Sequence, residues 1–163
     1  MVPNCFHPLG ARATAARSPS AKVVGPASVR DPQLSLHMAF QDAGFRSATK
    51  ELDVLPVEGC SFLDETVLFH RPTGSLIRAD LVIRACPRDH FTWRWAARLT
   101  GCWETVRPPP DVKSATKPND ATARSIDRMA ALPLTRILVA HADPIDDSPS
   151  DTLLEAWRFV RTP

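Results

Sequence analysis

Two short stretches of this chain hold side chains whose types and spacing could do chemistry. The first, Thr73-Gly74-Ser75-Leu76-Ile77-Arg78-Ala79-Asp80-Leu81, places the carboxylate of Asp80 near the end of an apolar, strand-like run. The second, Leu138-Val139-Ala140-His141-Ala142-Asp143-Pro144-Ile145, delivers His141 out of another such run, with an acid two residues on. Strand ends are where α/β layers gather their functional groups, because the loops there converge on one rim. Carboxylate and imidazole together make the ligand mixture that divalent zinc, manganese or iron accepts. Each residue also has a plain structural reading. Asp80 can serve as a turn or capping residue, and a histidine after a strand often bonds a backbone group.

The elements that must position these groups can be read from the pattern. Thr66–His70 and Ser75–Leu81 are β-rich runs joined by Arg71-Pro72-Thr73-Gly74, with proline early and glycine late as hairpin turns require. His70, beside that turn, reads as structural, because Glu65 lies an odd number of residues away and so faces the other side. Before the hairpin, residues 10–18 favour a short helix, and Ala21–Gly25 reads as a strand stopped by Pro26. Residues 31–47 have no clean period, and Glu51–Val57 alternates as a strand in which Pro56 marks an edge or a bulge. After the hairpin, Arg88–Leu99 is predicted helical with Gly101 near its C-cap, and 121–132 forms a second helix capped by Asn119 or Asp120. Pro108-Pro109-Pro110, extending to Pro118, marks an irregular loop. Thr135–Ala140 is a strand, and a closing helix opens at Ser148 and Pro149 and carries Leu153, Leu154, Trp157 and Val160 on one face. The order hairpin, helix, helix, strand, helix implies layered α/β architecture.

Bulk properties bound the function classes. At 163 residues with 44% apolar and 23% charged residues, the chain fits one soluble domain with a real core. A formal net charge of +2 with scattered basic residues gives no face for nucleic acid. No apolar run approaches the roughly 20 residues of a membrane span, and the start lacks the pattern of a secretory signal. A cytoplasmic protein without membrane partners is therefore expected. Cys5, Cys60, Cys86 and Cys102 form no C-x-x-C pair, so reduced and mostly buried thiols are expected rather than a zinc ribbon or redox motif. His90, Phe91, Trp93 and Trp95 crowd one helix, where aromatic rings more often belong to the core than to a ligand site.

The hairpin ending in LIRADL, followed by ILVAHADPI and a terminal amphipathic helix, resembles the C-terminal half of metallo-β-lactamase-fold hydrolases. The phrase VLFHRPTGSLIRADL is similar to a bacterial branch of that superfamily, a domain of unknown function. The resemblance implies a partial metallo-β-lactamase-like αββα sandwich, a mixed sheet with helices on its face, spanning 1–163 as a single domain. It assigns Asp80 the role of the metal-bridging carboxylate and His141 that of a histidine ligand. In the same branch a segment like Pro3–His7 occupies the place of the histidine-rich HxHxDH loop, which makes His7 the third metal candidate and Asn4 a poor one. The activity implied is metal-dependent hydrolysis of a small-molecule ester, amide or phosphoester, with zinc, or else manganese or iron, activating water.

The departures define a competing reading. No HxHxDH is present, and Gly59-Cys60 stands where hydrolases carry glycine-histidine. The opening strands of the usual sandwich are not apparent, which predicts an exposed edge or face and hence a homodimer. A degenerate, non-catalytic domain serving binding or assembly is the alternative to the hydrolase.

Overall fold

The computed structural model describes residues 1–4, 9–26, 29, 38–40, 45, 50–140 and 142–161, with backbone alone at 9, 10, 38 and 39. Helix α1 (Leu9–Arg17) forms from alanine- and arginine-rich sequence and stops before Ser18-Pro19. Strand β1 (Val24–Gly25) pairs in parallel with β2 (Met38–Ala39) as a small separate sheet. The main sheet holds β3 (Leu52–Pro56), β4 (Thr66–His70), β5 (Ser75–Arg78) and, after three helices, β6 (Arg136–Val139), in spatial order β3-β4-β5-β6. The first three strands run antiparallel, and β6 lies parallel to β5. The connection between them carries α2 (Phe91–Thr100), α3 (Pro110–Ala115) and α4 (Asp120–Ala130), because a parallel pair needs a long crossover. Helix α5 (Pro149–Ala156) and a 3-10 turn (Arg158–Val160) close the chain.

The register sorts the side chains onto two faces. Phe69, Leu76 and Ile137 are cross-strand partners, and with Val67 they meet Ile126 and Met129 of α4 and Leu153, Trp157 and Val160 of the closing segment. This is the main core, and it puts α4 and α5 on one face of the sheet, as their apolar stripes require. Leu68 and Ile77 face the other way and pack against Val24, Phe40 and Phe45. At these residues the second face is covered by Val24, Phe40 and Phe45 from earlier in the chain. Strand β3 remains an edge with Pro56 at its end, while the outer side of β6 is bridged at Ile137 by Ile145.

Two local readings change. The proline-rich stretch is not irregular throughout: α3 starts at Pro110, whose fixed φ and missing N–H suit the first helical position. Ser148 does not cap α5 through its side chain. Its backbone sits at φ 43°, its hydroxyl bonds Asp147, and helical geometry gives way to the 3-10 turn after Ala156. Asn119 does cap α4, its Oδ1 accepting from the Thr122 N–H at 2.8 Å.

The hairpin turn also holds the entry to β6. Gly74 adopts φ +60°, and its carbonyl accepts from the Thr135 N–H at 2.9 Å. A Cβ there would lie 2.7 Å from the Pro133 carbonyl oxygen. Gly74→Ala should therefore lower unfolding free energy by at least about 1 kcal/mol, the left-handed penalty before any clash, as read from the urea midpoint.

At the other end, Arg161 of the closing segment grips Asp127 of α4 through both carboxylate oxygens. The Arg161 hydrogen bond holds the Asp127 carboxyl below its ordinary 3.8, although both side chains stay substantially exposed. A depressed carboxylate contributes stability above its unfolded pKa and loses it as pH falls through the folded one. Asp127→Asn should cost under about 1 kcal/mol at pH 7, since solvent screens so exposed a pair, and the gap from the parent should close in thermal melts below the unfolded pKa.

Candidate functional site

Past Arg78 the chain leaves the sheet, and two successive amides turn toward one buried acid. The N–H of Ala79 donates to Oε1 of Glu65 at 2.8 Å, and the N–H of Asp80 donates to Oε2 at 2.7 Å. The Asn4 side-chain amide adds a third donor to Glu65, at 3.2 Å, and donates to Oδ2 of Asp80 at 2.8 Å. Asn4 and Glu65 are both buried, so Asn4 is a clamp between two carboxylates rather than a spectator at the N-terminus. Asp80 is thus fixed both at its backbone and at its carboxylate.

A cation completes the cluster. Arg78 is 4% exposed; its Nη1 donates to the carbonyls of Ala79 and Val82. Its Nε and Nη2 are buried with no hydrogen-bond partner among the described residues. Burial lowers the Arg78 pKa to about 10, against the pull of Glu65 and Asp80. Burial pushes the Glu65 carboxyl above 4.5, while the Ala79 and Asp80 amides and the Arg78 charge favour its ionised form.

Asp80 opens onto a cavity of about 650 Å³ at the carboxyl ends of β5 and β6. Cys86, Arg88, Asp89, Trp93 and Asp143 also line it, as do Ala140 and Ala142. Those two alanines flank His141 in sequence, and the parallel register brings Arg78 beside Val139, two residues before each candidate ligand. His141 and His7 themselves lie outside the described residues. Asp143, the acid two residues after His141, forms an ion pair with Arg88. Asp89 accepts from the Cys86 N–H at 2.7 Å and shapes the loop that enters α2.

The remaining candidates are placed elsewhere. Cys60 is a core thiol, 3.0 Å from the Thr116 hydroxyl, and does not line this cavity. Cys60, Cys86 and Cys102 are free thiols; Cys5 is outside the described residues. His70 stands beside its turn, with Nδ1 2.8 Å from the Thr73 hydroxyl and Nε2 3.5 Å from Glu51. The aromatic stretch on α2 divides. Trp93 packs on Ile83, Ala85, Ala97 and Cys102, whereas Phe91 and Trp95 are 62% and 67% exposed, so the core reading fails for these two. The reason is helical spacing: Phe91, Trp95 and Leu99 recur every fourth residue, on the side away from buried Ala97.

Among the described residues, no three His, Cys, Asp or Glu side chains gather as a metal site. Taken alone, the described residues do not fit a bound metal, and Asp80 is the one predicted ligand they contain. No helix among them is long and apolar enough to cross a membrane.

No family model matches the chain, and no curated protein matches it. Among solved structures, the chain is similar to a metallo-beta-lactamase family protein from Thermus thermophilus, at 20% identity and a TM-score of 0.37. The match covers 64% of this chain and 28% of that one. The chain thus spans under a third of the length of that neighbour.

Proposed function

We propose that the chain is a metal-dependent hydrolase-like domain whose site is the cavity above Asp80, with Asp80, His141 and His7 as the metal ligands and zinc, manganese or iron as the ion. One observation carries the reading: a single carboxylate, Asp80, is tied to the segments that bear both histidines. It lines the same cavity as Ala140 and Ala142, on either side of His141. Its Oδ2 accepts from Asn4, which precedes His7 by three residues, a length of chain that spans at most about 11 Å. Glu65 supports the arrangement by holding the Asp80 amide, the kind of outer contact on which ligand geometry depends. A small molecule bearing an ester, amide or phosphoester is the substrate class that a cavity of about 650 Å³ accommodates.

The degenerate, non-catalytic domain is the second reading. It is favoured by the sequence, which has no HxHxDH and carries Gly59-Cys60 where hydrolases have glycine-histidine. Metal analysis of protein purified without chelators separates the two. The hydrolase reading expects about one equivalent of zinc, manganese or iron per chain, lost in Asp80→Ala. Protein that carries no metal, and takes up none when supplied with it, supports the scaffold.

A further inference from the structure

We infer that a second cavity, between α1 and the sheet, binds an amphiphile with a long apolar chain and a carboxylate head, a fatty acid in chemical class. The space arises from a mismatch of side-chain size. Ala11 and Ala15 lie one turn apart on α1 and present only methyl groups to it. The opposite wall is built from Leu68 and Ile77 of the sheet and from Phe40. The result is a half-open cavity of about 580 Å³, within the size range of small-molecule sites.

The charges on its wall select the head group. Among the described residues, the charged lining side chains are Lys22 and Arg78, both cationic. Lys22 is exposed at the rim and pairs with none of the described carboxylates. Arg78 borders the inner wall with two N–H donors that no described residue accepts from. An apolar chamber with the Lys22 cation at its rim and unaccepted Arg78 N–H donors on its wall matches an anionic amphiphile and opposes a cationic one. The wall shared with the Asp80 cavity is Ala140, so this inference does not rest on the proposed hydrolase activity.

Calorimetric titration of the whole chain with laurate, below its micellar concentration, tests the inference. Dodecyltrimethylammonium, of equal chain length and opposite charge, is the control. One saturable laurate site is expected, with the cation at least about tenfold weaker. Ala15→Leu should fill the cavity and abolish laurate binding while circular dichroism and the melting temperature stay native or rise. Lys22→Glu, a surface change that spares the fold, should weaken laurate at least about tenfold by reversing the charge at the rim. Absence of saturable laurate binding by the parent, unchanged affinity in folded Ala15→Leu or in Lys22→Glu, or equal binding of the cation would each overturn the assignment.

Discussion

Glu65→Ala should destabilise the protein by about 3–5 kcal/mol, the cost of stranding buried N–H donors and of taking one of two counter-charges from a buried guanidinium. Three N–H donors converge on this carboxylate, from Ala79, Asp80 and Asn4, and alanine would leave all three without their acceptor. Arg78 would lose the stronger of the two carboxylate attractions that offset its desolvation. Water does not readily replace them, because Glu65 is 1% exposed and Asn4 is fully enclosed. Glu65→Gln should fall between parent and alanine: its carbonyl can still accept, but its amide would set a donor against a donor. Urea unfolding with a common slope measures both. A loss under about 1 kcal/mol for Glu65→Ala would mean that the cluster does not hold the end of β5.

The prominence of Glu65 is present in the sequence, but strand alternation alone conceals it. Alternation along β4 puts Glu65 and His70 on opposite faces, which separates the two and says nothing of what Glu65 meets. The hairpin register says more. Leu68 pairs with Ile77 and His70 with Ser75, so counting outward three residues from the first pair sets Glu65 opposite Asp80. Once the turn at Arg71–Gly74 is located, an acid facing an acid across the hairpin follows, and two such groups demand donors between them. Asn4, one of those donors, lies 76 residues from Asp80, a contact that no local pattern encodes.

Elsewhere legibility followed the strength of the local signal. Hairpin, α2 with its Gly101 cap, α4 with its Asn119 cap, and β6 all announce themselves through turn chemistry and periodicity, and they form where expected. Pro110 misled because three consecutive prolines read as a loop, although the last of them is well suited to begin a helix. Phe91 and Trp95 misled because aromatic residues are read as core, while only the positions of Trp93 and Ala97 face inward. The candidate site was legible at Asp80 and at the strand that leads to His141. Its clamp of Asn4 and Glu65 was not.

In the proposed site, Asp80, His141 and His7 meet at the cavity on the carboxyl ends of β5 and β6. Carboxylate and imidazole ligands hold zinc at about 2.0–2.2 Å, so removing either of two ligands from a three-ligand site leaves a pair that binds weakly. Outer contacts alone typically change affinity about 10–100-fold, so loss of a direct ligand should cost at least about 100-fold. The proteins to compare are the parent, Asp80→Ala, His141→Ala and, as a control away from the cavity, His70→Ala, whose imidazole is engaged with Thr73 and Glu51. Calorimetric titration with zinc at fixed pH and ionic strength is the most direct test. The account predicts one site in the parent, an unchanged site in His70→Ala, and at least about a 100-fold loss in both Asp80→Ala and His141→Ala. Equal zinc affinity in all four proteins, or none in the parent, would contradict it.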